Sequence, residues 1–331
     1  MSRYFSIILV IFSLALNGCD AQSKTGSLKL TASIPLPGVS GRIDHLSIDY
    51  THQIIFIAAL GNNSVEVVDL KTKKVIHSIK GLHEPQGVVY ISESNAVFVA
   101  NGDNGECDVF NTATFQKINS LALPGDADNV RYDSVGKKIY VGYGNGGIAI
   151  IDATNFKLIN EIKFPGHPES FQLDKVSKKI YLNVPDEEQI DVIDLNKNAV
   201  VEKWKMNDAT SNFPMALDEA HHRLFVGCRH SPTLLIIDTQ TGKTITSFSI
   251  DGDTDDIFYN AAGKEIYVSC GEGFVDVFRQ SDANTYASNG RISTNSGART
   301  SLFDTGLNQL IVASPMRFGR NASLLIYAIT K

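Results

Sequence analysis

The chain has 331 residues, and 30 basic residues against 36 acidic ones give it a net charge of −6. It has no basic run and no interleaving of basic with aromatic residues, which makes nucleic acid a poor partner. Beyond the first residues, no stretch is long and apolar enough to cross a bilayer.

Residues 1–18 read as a removable leader: Arg3 supplies a positive start, and Phe5 to Leu16 is an apolar run too short to span a membrane. The run ends Leu16-Asn17-Gly18-Cys19, which resembles a bacterial lipoprotein signal, in which cleavage leaves Cys19 as a lipid-modified N-terminus. Ordinary cleavage, for instance after Ala21, would instead give a soluble periplasmic protein. Asp20 resembles the inner-membrane retention signal of some enterobacterial lipoproteins. Residues 19–27 form a short polar tether. The expectation is an exported, periplasmic, lipid-anchored monomer that touches the membrane only through that anchor. Loss of Arg3 with the leader brings the net charge to about −7.

From residue 28 to 331 the chain repeats itself. In the stretch from Asn129 to Phe164, NVRYD, KIYVG, IAIID and FKLINEIKF are four short apolar, aromatic and β-branched runs, each closed by turn residues. The second run returns seven times, as IIFIA, AVFVA, KIYVG, KIYLN, RLFVG, EIYVS and QLIVA. Its centres are Phe56, Phe98, Tyr140, Tyr181, Phe225, Tyr267 and Ile311, spaced by 42, 42, 41, 44, 42 and 44 residues. The first run ends on the same beat in a small polar residue: Asp49, Ser92, Asp133, Asp174, Asp218, Asn260 and Asp304. Four strands per period of about 42 residues is the signature of a β-propeller blade, so an all-β, seven-bladed propeller of antiparallel strands is expected. The seventh repeat lacks its fourth strand, and Leu28 to Gly38 (LKLTASIPLPG) matches FKLINEIKFPG of the third. The N-terminal strand is therefore expected to complete the last blade and close the ring.

Cys107, Cys228 and Cys270 form no CxxC, and CxxCH is absent. Buried free thiols are the favoured reading over a Cys228–Cys270 disulfide. Cys228-Arg229-His230 offers two soft-metal donors, too few for a site. GxSxG, HExxH, a P-loop and GxGxxG after a strand are all missing.

With [IY]-[VL] second strands, V-x-V-[IV]-D third strands and P-G exits, the repeats resemble the YVTN-repeat (YncE-like) β-propellers. They are also similar to bacterial propellers described as gluconolactonase-like or surface-antigen-like. The resemblance implies the fold and a binding role rather than any one activity.

In a propeller, the fourth-to-first and second-to-third connections share one face around the mouth of the central channel. Counting back five from the end of each first strand gives Asp44, Gly87, Asp128, Glu169, Phe213, Asp255 and Arg299. Four are acidic and one is Arg. With their neighbours Arg42, His45, Glu84, Asn129, Arg131 and Asp256 they are the candidate ligand-binding residues. Asp at such positions also caps turns, but capping alone would not select Glu169, His45 or Arg299. Two classes of function follow. One is a non-catalytic module binding a small polar ligand, a cation or a partner's loop. The other is a lactonase-like hydrolase, with Asp44, Asn129, Glu169 and Asp255 around a divalent ion such as Ca²⁺ or Mg²⁺.

Overall fold

The computed structural model describes residues 27–330; the leader, Cys19 and the tether as far as residue 26 lie outside the described residues. Seven four-stranded antiparallel sheets follow one another around a ring, as the repeat requires. Blade 3, for example, consists of Ala127–Asp133, Lys138–Tyr143, Gly147–Asp152 and Leu158–Lys163. The innermost strand is the first of each sheet and the outermost the fourth.

Second-strand centres explain why the blades stack. Phe56, Phe98, Tyr140, Tyr181, Phe225, Tyr267 and Ile311 are all buried, filling the space between neighbouring sheets. At roughly 25 cal/mol per Å² of apolar surface, each such side chain contributes a few kcal/mol to holding adjacent blades together. Polar residues on the other beat fold the turns. Asp49 Oδ1 accepts from the backbone N–H of Thr51 and His52 at 3.0 and 3.2 Å, and Asp304 Oδ1 does the same for Gly306 and Leu307 at 2.9 and 3.0 Å. These Asp-capped turns all lie on one face of the ring, opposite the mouth.

The ring closes as expected. Leu28–Pro35 pairs with Ser323–Ile329, with Leu28 opposite Ile329 and Pro35 opposite Ser323, and supplies the outer strand of blade 7. It therefore runs from the capped-turn face to the mouth face. Ile34, Leu36 and Val39 are buried where it crosses into blade 1. Ser27 is already engaged, its hydroxyl donating to Glu265 Oε2 at 2.6 Å. Cys107, Cys228 and Cys270 are buried and free.

Candidate functional site at the channel mouth

Six of the seven aligned positions meet around one cavity of about 280 Å³ at the mouth: Asp44, Asp128, Glu169, Phe213, Asp255 and Arg299. Local geometry brings them there. In blades 2, 3, 5 and 6 the pairing of first and second strands slips at this level, between Pro85 and Val88, Ala127 and Val130, Asn212 and Met215, and Thr254 and Asp256. A bulge turns side chains out of the regular alternation, and here it is associated with Asp128, Asn129, Phe213 and Asp255 lining the cavity. Gly87, the seventh position, carries no side chain for a steric reason. A Cβ there would lie 2.0 Å from the carbonyl oxygen of Asp128.

The cavity has two unlike sides. On one, Asp255 is held by arginines from two other blades, Arg229 Nη2 at 2.5 Å and Arg299 Nε at 2.9 Å. Arg299 Nη1 also reaches Asp253 Oδ1 at 2.7 Å, and the Arg229 guanidinium lies 3.6 Å from the centre of the Phe213 ring. On the other side, Arg42 Nη2 donates to Asp44 Oδ2 at 2.5 Å and to Gln86 Oε1 at 3.0 Å. Gln86 passes the chain to Asp126, and His167 Nδ1 stands 3.7 Å from Asp126 Oδ2. What remains is rich in acceptors. Asp128 Oδ1 and Asn129 Oδ1 are buried without a hydrogen-bond partner among the described residues, in side chains only 7 and 2 % exposed.

Titration follows from this crowding. Burial, with Asp44 nearby, pushes Asp128 up to about 6 against the pull of His45. Glu169 is raised well above the usual carboxylate range by burial and then by Asp128 and Asp255. Burial also raises Asp255, outweighing its two arginines. For His45 burial opposes the charge, yet Asp256, Asp44 and Asp128 together raise its pKa to about 10.

Asp44, His45 and Asp128 each offer a donor atom within 4.8 Å of the others. A protonated imidazole cannot ligate, so an ion there would have to displace its proton. Of the four oxygen donors expected around a divalent ion, Asp44 and Asp255 are engaged by arginine, while Asn129 and Glu169 stay open.

The other expected residues are placed as follows. His45 lines the mouth and also a second chamber deeper in the channel, which Arg131 and Asp256 line without reaching the mouth cavity. Glu84 lies outside both cavities. It is exposed and contributes its backbone N–H to Asn63 Oδ1 at 2.9 Å, so proximity in sequence misplaced it. Cys228 and His230 do not form a pair of metal donors either. Cys228 is in the core, its thiol pushed up to about 12 by burial, while His230 is exposed and bonded to Ser211. Arg229 between them was not expected at the site. It sits at the end of a second strand, outside the aligned first-strand positions, and the only available signal was a lone Arg where other blades carry small or apolar residues.

No family model matches the chain, and no curated protein matches it. Among solved structures, 1867 chains are similar. One, from the crystal structure of a mitotic checkpoint complex, superposes with a TM-score of 0.77 at 13 % identity, over 100 % of this chain and 99 % of that one. At that identity the likeness is one of fold alone, and a fold this common selects no ligand.

Proposed function

We propose that this chain is an exported propeller of the YVTN-repeat (YncE-like) kind, tethered to a membrane through Cys19, whose channel mouth binds a small cationic, donor-rich ligand without catalysis. One observation carries the binding reading: Asp128 and Asn129 line the mouth cavity beside Glu169, and each has a buried side-chain oxygen, Oδ1, without a hydrogen-bond partner among the described residues. Each such acceptor costs about 1–3 kcal/mol when left unmet, and an ammonium group or a hydrated divalent cation would meet them. Thermal melts of the mature chain with CaCl₂, MgCl₂ or methylammonium chloride test this. At least one should raise the melting temperature saturably, and Glu169→Gln or Asp128→Asn should abolish the rise. No response to any of the three would refute the reading. A response to metal but not to methylammonium, reversed by chelator, would assign the ion.

Metal-assisted lactone hydrolysis has less support, because Asp44 and Asp255 are already occupied by arginine. A partner's loop as ligand has one observation in its favour: Phe318 is 86 % exposed on a second-to-third connection of the mouth face, between Arg317 and Arg320. Phe318→Ser would weaken such a complex and leave the cation response intact. The anchor is tested by Cys19→Ser, which should release the exported protein from membranes or block its processing. Unchanged membrane fractionation would end that part of the proposal.

A further inference from the structure

The arginines divide by what they face. Arg42, Arg223, Arg229, Arg279, Arg291 and Arg299 each reach a carboxylate oxygen within 3.1 Å. Arg131, Arg317 and Arg320 have no such partner among the described residues. Arg317 and Arg320 are exposed, so water serves them. Arg131 lies inside the ring, on the wall of a chamber of about 480 Å³ below the mouth.

Its surroundings satisfy little of its charge. Nη1 donates to the Val130 carbonyl at 2.9 Å and Nη2 to Ser170 Oγ at 3.1 Å, and the guanidinium stands 5.3 Å from the centre of the Phe171 ring. Both acceptors are neutral, and the group has five N–H donors. The nearest acid on the chamber wall is committed elsewhere. Asp256 Oδ2 accepts the Ser301 N–H at 2.7 Å, and Oδ1 faces His45 Nδ1 at 3.7 Å. Val88, Val130, Met215 and Ile257 make much of the remaining wall apolar. An enclosed cation without a counter-charge is costly, and water in a half-apolar chamber offsets that only in part.

We propose that this chamber is an anion site with Arg131 as its anchor, and that it takes a carboxylate, free or as part of a larger molecule. The planar fork of an arginine matches a carboxylate edge on. Charge sets the valence. Arg131 brings a single positive charge to the wall, with the acids Asp256, Asp44 and Asp128 clustered around His45 close by, so a singly charged anion fits better than a more highly charged one. A phosphate dianion would leave excess negative charge near Asp256 and Asp128. The site is independent of the cation reading at the mouth, though His45 and Ser170 line both cavities. A molecule carrying an ammonium and a carboxylate could occupy both levels.

Crystals of the mature chain soaked in sodium bromide test the proposal by anomalous scattering. Bromide should appear in contact with the Arg131 guanidinium, vanish when sodium acetate is added, and be absent from Arg131→Gln. Bromide found only at surface arginines, or persisting beside Gln at position 131, would overturn the site. Displacement by inorganic phosphate but not by acetate would overturn the carboxylate assignment. If Arg131→Gln does not fold, the two wild-type soaks, with and without acetate, still decide. Cation titrations use other residues and probes, so either reading can fail alone.

Discussion

His45 and Asp256 approach each other inside the channel, Nδ1 to Oδ1 at 3.7 Å, from the first and sixth blades. Their contact reaches past blade 7, which stands between the two. Because the folded pKa of His45 is about 10 against an ordinary 6.5, the native state holds the proton more tightly than the unfolded chain. The stabilisation is complete below about pH 6.5 and is lost as pH climbs through 10. Chemical unfolding between pH 6.5 and 10 should show about 2–4 kcal/mol of decline that His45→Gln lacks. A mutant with the slope of the wild type would assign the decline to other groups.

Asp128 is shifted in the same direction, but at lower pH and for the opposite reason: the fold disfavours its charged form. Its folded pKa is about 6 against 3.8. The penalty grows as pH rises from 3.8 through 6 and is complete above that. Asp128→Asn should therefore be no less stable than wild type at pH 7 without ligand. The difference between the two should shrink by about 2–3 kcal/mol as pH falls to 4. A destabilised Asn variant at pH 7 would instead mark Asp128 as a structural cap.

Gly87 provides a purely steric test of the mouth. Both atoms that a Cβ would strike, the Asp128 carbonyl oxygen at 2.0 Å and Val130 Cγ2 at 2.5 Å, belong to the bulged strand of the next blade. Gly87→Ala should cost about 1–3 kcal/mol and weaken any cation response, although residue 87 bears no charge. Calorimetry of the variant with and without calcium reads both effects.

Closure predicts a larger effect. A chain beginning at Arg42 lacks Leu28–Pro35 and the buried Ile34, Leu36 and Val39. It should lose its single sharp melting transition. Ile34→Ala, a milder version, should cost about 2–5 kcal/mol. A sharp melt in the shortened chain would show that the outer strand is dispensable.

What the sequence made legible was whatever recurs once per blade. Phe98, Tyr140 and Tyr267 could be aligned because each fills the same gap between sheets, and Asp49 and Asp304 because each caps the same turn. Asp44, Asp128, Glu169 and Asp255 were found together because equivalent positions of a ring converge on its axis. The rest depended on departures from the repeat. Arg229 enters from a second strand, so no alignment of first strands could include it. The bulges that accompany the change in side-chain direction at Asp128 and Asp255 leave no mark in composition. Whether an acid is free, as at Asp128 Oδ1, or locked, as at Asp255, is decided by which arginine arrives from another blade. Glu84 failed for the same reason: sequence neighbours of a site residue need not share its direction.

If Cys19 carries the lipid proposed above, the place where the closing strand begins bears on which way the molecule faces. Ser27 and Thr330 meet at that place, where the Thr330 N–H donates to the Ser27 carbonyl at 2.5 Å, on the side of the Asp-capped turns. A lipid at Cys19 would then join the ring on that side, eight residues before Ser27. The bilayer would lie behind the capped turns, with Glu169 and Asn129 opening toward the aqueous compartment. Solutes would arrive from solution, and a partner touching Phe318 would have to approach from the side away from its own membrane.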